Sequence, residues 1–320
     1  MASSPIELDF VTVDVFTDKK YEGNPLAIVE IPSSISVSQE QKQAIAREFN
    51  LSETTFLHID ESNADAKSWT VDIFMTTSEL PFAGHPTIGT ACHVLSRAAR
   101  SRGVGSGKIE AGFDIKAGPI GLEYDVGKKV ARAAIPHNIH IHKRTWAREE
   151  LLKLHPRLAE ASRQNKISLK DEFPIVSVVR GMTFILIELE SEEALGLVGT
   201  TGSPLSVDGL DEDWKDTFVG MYFFVRSQDK PDGIKSLRTR MIEGTLEDPA
   251  TGSAASDLAG YLSIVEGKPK ESLRYEIVQG VEMGRRSEIH IEVVMAEEAG
   301  IADIYLEGSA VQVMAGRLTV

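Results

Sequence analysis

Two segments about half a chain apart combine reactive side chains with the signature of a helix start. They are His85-Pro86-Thr87-Ile88-Gly89-Thr90-Ala91 and Asp248-Pro249-Ala250-Thr251-Gly252-Ser253-Ala254. Both follow the pattern x-Pro-x-x-Gly-[Ser/Thr]-Ala, and proline is well tolerated in the first turn of a helix. A helix start carries exposed N–H groups and about half a positive charge, so it attracts anions. The pattern therefore predicts two anion-binding helix starts.

His85 and Asp248 open the two segments, and we place them at equivalent positions. A titratable group beside a helix start has a pKa that its surroundings can shift, so both residues are candidates for proton transfer. Ser253 adds a hydroxyl group. The repetition indicates two similar domains that arose by duplication. The alternative is that each segment is only a well-capped core helix in which glycine permits close packing.

The elements that must position these segments are mostly short strands. In the first half, a capping-box pattern at Ser38 and Gln41 predicts a helix that ends at Asn50. Runs of β-branched and apolar residues predict strands over Ile6–Phe16, Leu26–Val29 and Thr54–Ile59.

The second half has the same texture. Strands are predicted over Val130–Ile141 and Phe173–Leu189, and helices over Thr145–Gln164 and Asp248–Ile264. Because strands outnumber helices and do not alternate with them one for one, the fold class is predicted to be α+β. We expect Pro86–Ser96 and Pro249–Leu262 to be the central helices of the two domains.

Five blocks of the chain resemble the PhzF-like family of phenazine biosynthesis and occur in the family's order. They are Asn24–Val29 (NPLAIV), Ala46–Thr54 (AREFNLSET), Glu79–Thr87 (ELPFAGHPT), Glu247–Ala254 (EDPATGSA) and Met283–Ser287 (MGRRS). The resemblance spans about residues 10 to 290, which is nearly the whole chain.

The resemblance implies the diaminopimelate-epimerase-like fold. In that fold two similar domains each wrap a curved, mostly antiparallel sheet around a central helix, and the active site lies in the cleft between them. Applied to this chain, it implies an N-terminal domain over residues 1–127, joined by the C-terminal strands at 299–320, and a second domain over 128–298. It also implies that no metal or organic cofactor is used, and that the protein is a homodimer.

The resemblance also assigns site residues. Glu53, in the Ser-Glu-Thr motif, is implied to be the general acid/base, assisted by Asp248 and by the pairs Gly84-His85 and Gly252-Ser253. Many family members carry Arg near Asp72 and Thr-Pro within Met75–Thr77. These departures concern the shape of one wall of the site, and therefore substrate choice, more than the chemistry.

Glu53 stands out little from its surroundings without the resemblance, since the chain has 48 acidic residues. It lies directly before an apolar strand, and burial there raises the pKa of a glutamate from about 4.3 toward the working pH, as a general acid/base requires. The alternative interpretation is a solvated charge at the start of a strand.

The function predicted from this set is that of a cofactor-independent isomerase. Glu53 moves a proton on a small, cyclic or conjugated carboxylic acid, and the two helix starts hold the anion and its developing charge. One alternative is a two-base racemase or epimerase that uses Glu53 and Asp248; the two-thiol version needs two cysteines, and only Cys92 is present. The other alternative is a non-catalytic ligand- or protein-binding module.

The composition of the chain restricts the classes of partner that it is expected to bind. The chain has 34 basic and 48 acidic residues, a formal net charge of −14, so it is expected to bind no nucleic acid. No apolar run approaches the roughly 18 residues of a membrane span. Met1–Phe10 lacks the basic and apolar regions of a signal peptide, which predicts a cytoplasmic protein. Cys92 is expected to be a buried small apolar residue.

His137, His140 and His142 form the remaining cluster of potential metal ligands. On a strand, His140 and His142 share one face while His137 lies on the other, so the three do not converge. We therefore interpret the cluster as a polar surface face and predict no metal site.

Overall fold

The computed structural model describes residues 6–63 and 66–320, and strands dominate this part of the chain. Its strands are β1 (Glu7–Val15), β2 (Asn24–Pro32), β3 (Thr54–Ile59), β4 (Ser68–Phe74), β5 (Glu79–Leu80), β6 (Lys108–Ile115), β7 (Gly118–Asp125), β8 (Val130–Ala134), β9 (His140–Ala147), β10 (Glu172–Val179), β11 (Met182–Glu188), β12 (Phe218–Arg226), β13 (Lys235–Glu243), β14 (Leu246–Asp248), β15 (Ser272–Gln279), β16 (Ser287–Met295) and β17 (Ile301–Thr319). Its α-helices are α1 (Gln39–Phe49), α2 (Gly84–Ser101), α3 (Arg148–Leu154), α4 (Pro156–Arg163), α5 (Glu192–Leu195) and α6 (Gly252–Glu266).

The chain forms two compact units, residues 1–134 with Glu307–Val320, and Ile135–Leu306. The resemblance implies boundaries after residues 127 and 298, several residues earlier in both cases. β8 belongs to the first unit because Val130 pairs with Asp125 of β7 in an antiparallel ladder. Among the described residues no helix is both long and apolar enough to cross a bilayer. The first five residues of the segment interpreted as lacking a signal peptide lie outside the described residues.

In the first unit, eight strands close into a ring around α2. Antiparallel pairs join β17 to β1, β1 to β2, β3 to β4, β6 to β7 and β7 to β8, while β2–β3 and β4–β6 are parallel. Pairing of β8 with β17 completes the ring. α2 packs against β1, β2, β3, β7 and β8, and its Ile88, Ala91 and Leu95 are fully buried. The ring thus fixes the position of the helix whose start carries His85.

The second unit repeats this succession of strand pairs. β10–β11, β12–β13 and β15–β16 are antiparallel, whereas β11–β12 and β13–β15 are parallel. The order matches β1–β2, β2–β3, β3–β4, β4–β6 and β6–β7 of the first unit, pair by pair. α6 packs against β10, β11, β15 and β16 and is largely buried. Each unit therefore contains one of the two predicted helices, and the repeated pairing order fits a duplication.

The two helix-start segments align differently in the structure from the alignment that the sequence predicts. In the first unit β5 ends at Leu80, Pro81 follows, and α2 begins at Gly84. In the second, β14 ends at Asp248, followed by Pro249 and then α6 from Gly252. Proline thus lies three residues before each helix start.

The predicted equivalence of His85 and Asp248 is therefore wrong. His85 is the second residue of α2 and corresponds to Ser253, whereas Asp248 ends a strand. Pro-x-x-Gly occurs twice in succession in the first half, at Pro81 and at Pro86. Spacing alone did not reveal which copy precedes the helix. The helix predicted from Asp248 begins four residues later, at Gly252, because Leu246–Asp248 pair with β13 as β14.

Local capping signals in the first half are confirmed. Ser38 accepts a hydrogen bond from the N–H of Gln41, whose side chain accepts from the N–H of Ser38, and Asn50 ends α1 with a φ of 51°. The strand predicted over Thr54–Ile59 is β3, with the same bounds.

Two predictions in the second half are wrong. The helix over Thr145–Gln164 is split, because Thr145 to Ala147 pair with β10 and Pro156 starts a separate helix. The strand over Val130–Ile141 is also two strands, since β8 ends at Ala134 and β9 begins at His140. In both cases pairing with a distant strand overrides the local pattern.

Candidate active site

Glu53 lies at the junction between α1 and β3. The left-handed Asn50 ends α1, so the chain turns and enters β3 at the fully buried Thr54. The Glu53 side chain is 17% exposed, but its Oε2 is buried and makes no hydrogen bond within the described residues. Desolvation raises the pKa of Glu53 above its usual value, and a hydrogen bond with Ser52 opposes this only in part. A buried carboxyl with a raised pKa is suited to exchange protons near neutral pH.

His85 faces this carboxyl. Its Nδ1 lies 3.3 Å from Oε2 of Glu53, and its side chain is buried. Gly89, one turn further along α2, explains how the helix comes so close to β1 and β2: a Cβ atom there would lie 2.6 Å from side-chain atoms of Val15 and Leu26. Gly89 thus serves packing, and of the predicted site residues the first unit brings together Glu53 and His85.

The starts of α2 and α6 both lack a capping side chain. Their N-cap residues, Ala83 and Thr251, make no side-chain capping hydrogen bond, and neither first turn contains an acidic residue. Gly84 and Gly252 are buried and open the two helices. A helix start without a capping side chain or an acidic residue in its first turn favours a bound anion, because the helix dipole is positive there.

Asp248 is the largely buried last residue of β14. Its Oδ2 accepts a 2.6 Å hydrogen bond from Oγ1 of Thr251, the residue that caps α6. The carboxylate thus holds the loop that leads from β14 into the helix. In the second unit the structure therefore brings Asp248 close to the start of α6 at Gly252.

Gln279, at the end of β15, supports this loop and was missed by the sequence analysis. It is fully buried, and its Nε2 donates to the carbonyl of Asp248 at 2.8 Å and to Oγ1 of Thr251 at 3.0 Å. Its Oε1 accepts a 3.0 Å hydrogen bond from the hydroxyl of Tyr222. A single glutamine carries no pattern in the sequence, and only the pairing of distant strands reveals its role.

We expect Gln279→Met to lower stability strongly. Methionine fills a similar volume but leaves the Asp248 carbonyl and the Thr251 hydroxyl without this partner, and each unsatisfied buried group costs about 1–3 kcal/mol. Thermal unfolding of the variant should show a clear drop in Tm, while the exposed Gln164→Met control should unfold like the wild type. Equal Tm values for both variants would contradict the supporting role.

Asp72, where many family members carry Arg nearby, is half-buried. Its Oδ2 lies 2.5 Å from Nζ of Lys42 and 2.8 Å from Nε2 of His58. Burial by itself raises the pKa of Asp72. The hydrogen bonds from His58 and Lys42 and the charge of Lys42 lower it by more, so the pKa of Asp72 is below its usual value. Lys42 is itself almost fully buried, so the ion pair ties α1 to β4.

Cys92 is buried in α2, as predicted. Its Sγ contacts the carbonyl of Gly308 at 3.5 Å, and burial raises the pKa of the thiol to about 12. A thiol of this kind remains protonated at neutral pH and is a poor base or nucleophile.

The structure therefore groups the predicted residues into two sets, one in each unit. Glu53 is adjacent to His85 at the start of α2, and Asp248 is adjacent to the start of α6 with Gly252 and Ser253. That these sets share one active-site cleft stays a prediction.

Known proteins similar to this chain match it over nearly its whole length, and their descriptions agree with one another. The sequence model of the phenazine biosynthesis-like proteins, PhzC-PhzF, matches residues 13–316. The trans-2,3-dihydro-3-hydroxyanthranilate isomerase of Pseudomonas aeruginosa is 31% identical over 319 residues, covering 96% of this chain and 98% of that protein. An uncharacterized isomerase of Mesorhizobium japonicum is 29% identical over 320 residues, covering 97% and 98% respectively.

A solved structure shows the same fold. The PhzF-family phenazine biosynthesis protein of Bacillus anthracis superimposes with a TM-score of 0.72 at 19% sequence identity, covering 98% of this chain and 100% of that protein. The fold is therefore PhzF-like, with a mixed sheet and few helices, and the family resemblance is confirmed. The chain belongs to the PhzC-PhzF family of phenazine biosynthesis-like proteins, and it is an isomerase.

Proposed function

We propose that this isomerase moves a proton between two carbons of a small conjugated carboxylic acid, with Glu53 as the single base and without a cofactor. The observation that carries the proposal is the buried Oε2 of Glu53, which has no hydrogen bond in the described residues and a pKa raised by burial. Such an oxygen is available to a substrate C–H group, and its basicity is matched to proton transfer near neutral pH.

The reaction is an exchange of one proton within the substrate. The Glu53 carboxylate takes a proton from a carbon next to the conjugated system, and the C–H electron pair spreads into an extended enolate. The same proton then returns to a different carbon, so no atom or electron is lost. His85, with Nδ1 at 3.3 Å from Oε2, orients the carboxyl group between the two steps.

The helix starts are assigned to the negative charges of the substrate and of the enolate. Gly84 and His85 of α2, and Gly252 and Ser253 of α6, stand at positive helix ends that have no side-chain cap. Asp248 is proposed to orient the substrate or transfer a proton. Charge that develops during the reaction is stabilised best by dipoles that are already in place.

The first compound to test is trans-2,3-dihydro-3-hydroxyanthranilate, the substrate in the name of the Pseudomonas aeruginosa relative. It is a small, cyclic and anionic acid, as the proposal requires. We also propose that both units have the diaminopimelate-epimerase-like fold, in which each domain wraps a curved, mostly antiparallel sheet around a central helix. The homodimer and the cytoplasmic location stay predictions.

Turnover followed by NMR in D₂O tests the mechanism. With a single base shielded from water, the product should retain much of the proton that was removed. Full deuteration at the reacting carbon would instead favour the two-base racemase or epimerase. Binding of the acid without any turnover would favour the non-catalytic module.

The α6 start is tested by Gly252→Val. The added side chain obstructs the N–H groups without removing them, and loss of charge-assisted hydrogen bonds worth about 1.5–3 kcal/mol weakens binding about 10–100-fold. Calorimetry with a benzoate-like acid measures the affinity, and circular dichroism checks that the helix remains.

Gly199→Val is the matched control for that variant, because a Cβ atom at Gly199 has no neighbour within 4 Å. It should bind the acid as the wild type does. Unchanged affinity in Gly252→Val would remove the α6 start from the anion site.

A further inference from the structure

A second group of potential ligands lies in the second unit, far along the chain from Asp248. His140 and His142 of β9 and Asp211, which precedes the short 3-10 helix Glu212–Trp214, each offer one ligand atom, and these atoms lie within 4.8 Å of one another. The third ligand is thus Asp211 and not His137, which the sequence analysis considered. Sequence spacing on a strand could not reveal it, since Asp211 comes from a distant loop.

His142 is held as metal-bound histidines usually are. The N–H of Asp211 donates to Nδ1 of His142 at 3.3 Å, so Nε2 carries the proton and donates to Oγ of Ser177 at 2.9 Å. Ser177 is fully buried and is hydrogen-bonded in turn to Thr183. Ser177 thus holds the ring through Nε2, in the way that a second partner holds a metal-bound histidine. Nδ1 is then the atom that can bind an ion, in exchange for its 3.3 Å hydrogen bond from the Asp211 N–H.

Burial also corrects the sequence interpretation of these histidines. His142 is only 4% exposed, so the predicted polar surface face is wrong for it, because Ser177 and the Asp211 segment cover it. His140 and Asp211 remain partly exposed, so the cluster is open to solvent on one side.

The position of His140 is fixed from two sides. Its Nε2 lies 2.8 Å from Oδ2 of Asp211, and its ring stacks on Trp214 with centroids 4.5 Å apart and planes 7° from parallel. The ring of His142 meets it edge-on at 4.8 Å. The imidazoles are thus pre-oriented before any ligand arrives, which lowers the entropy cost of binding one.

We propose that His140, His142 and Asp211 form a binding site for a divalent transition metal of the Zn²⁺ type. Two imidazoles and one carboxylate are ligands that suit Zn²⁺, and three protein ligands leave a fourth position for water. The ion takes the place of the proton that now lies between His140 and Asp211. Zinc–ligand distances of about 2.0–2.2 Å require the three ligand atoms, which lie within 4.8 Å of one another, to close around the ion, and Nδ1 of His142 to exchange the Asp211 N–H for it.

A metal at this site would link a long loop to the sheet of the second unit. Asp211 belongs to the long connection between α5 and β12, in which Glu212–Trp214 is the only regular element among the described residues. A metal that links Asp211 to β9 fastens this connection to the sheet of the folded protein, and the three ligands come together only there. Bound Zn²⁺ should therefore raise the Tm of the protein.

Calorimetric titration of the metal-free full chain with ZnCl₂ is the direct test. We expect saturation at one Zn²⁺ per chain, and a loss of affinity in His140→Ala and Asp211→Asn. Losing a hydrogen-bond partner of a ligand already costs about 10–100-fold, and losing a ligand should cost at least as much. His137→Ala, from the same sequence motif, is the matched control and should bind as the wild type does.

A spectroscopic measurement keeps the proposal testable if a variant folds poorly. Co²⁺ at this site should quench Trp214, which stacks on His140. Trp214→Phe should therefore lose that part of the quenching while the visible Co²⁺ absorption remains. Ser177→Ala should weaken Zn²⁺ binding about 10–100-fold without changing the stoichiometry. Absence of saturable Zn²⁺ binding, or equal binding by the wild type, His140→Ala and Asp211→Asn, would overturn the proposal.

Discussion

Glu53→Gln should lower turnover by about 10²–10⁴-fold, the usual contribution of a general base, and leave the affinity for the substrate acid nearly unchanged. Glutamine retains the size of the side chain but cannot accept the proton. The loss should therefore appear in kcat and not in Kd. The measurement is turnover of the candidate acid, with binding determined separately by calorimetry.

The pH profile gives an independent check on the same residue. Burial raises the pKa of Glu53, so the acid limb of kcat/KM should lie above the value of an ordinary glutamate, near 4.5. Below that pKa the group is protonated and inactive as a base. Glu53→Asp shortens the reach of the carboxyl group, and a misplacement of about 1 Å can itself cost about 10²-fold.

Glu48→Gln is a suitable control, since Glu48 is an exposed residue near the end of α1. This variant should keep full activity. Full activity in Glu53→Gln would remove Glu53 as the base and favour the binding-module alternative.

Asp257→Ala should stabilise the protein, against the usual direction of core substitutions. Asp257 lies in α6, is fully buried, and neither of its carboxyl oxygens has a hydrogen-bond partner within the described residues. A buried polar group without a partner costs about 1–3 kcal/mol. Since 1 kcal/mol shifts the Tm of a unit of 150–250 residues by about 2–4 °C, the gain should be visible in calorimetric unfolding.

The effect of Asp257 should also depend on pH. Burial raises its pKa well above the usual value, whereas the unfolded chain releases the proton near pH 4. As the pH rises between these two values, the unfolded state binds fewer protons than the folded state, so wild-type stability falls. Asp257→Asn cannot titrate and should lose this slope.

Asp229→Asn, at an exposed position of the same unit, is the control and should unfold like the wild type at every pH. A lower Tm for Asp257→Ala, together with a flat pH dependence of the wild type, would show that the carboxyl group stabilises the core.

Sequence reasoning succeeded where the signal is local. The caps of α1 and the bounds of β3 follow from neighbouring residues, because capping and turn chemistry act over three or four positions. It failed at Thr145–Gln164, where a helical pattern yields to pairing of Trp146 with Phe173 of β10. A ladder with a strand distant in sequence leaves no mark in the segment itself.

In the candidate site, too, the residues marked by a local pattern could be predicted and the others could not. The helix starts were predicted from Pro and Gly spacing, but their register was wrong because the spacing occurs twice. Glu53 was identified by family resemblance, since one acid among many has no distinguishing pattern. Gln279 and Asp211 act through residues that only the folded chain brings near them, so no sequence pattern indicates them.

The closed ring of the first unit has a consequence for biosynthesis. β17 is one of the strands of the ring, and it pairs with β1 from Val15↔Ala310 to Glu7↔Thr319. The ribosome must therefore synthesise all of Ile135–Leu306 before the strand that closes the N-terminal unit exists. At about 5–20 residues per second this interval lasts roughly 9–34 s. The second unit is continuous in sequence and is expected to fold first. Until β17 arrives, β1 of the nascent N-terminal unit has an edge without its strand partner, and such an edge can pair with another chain.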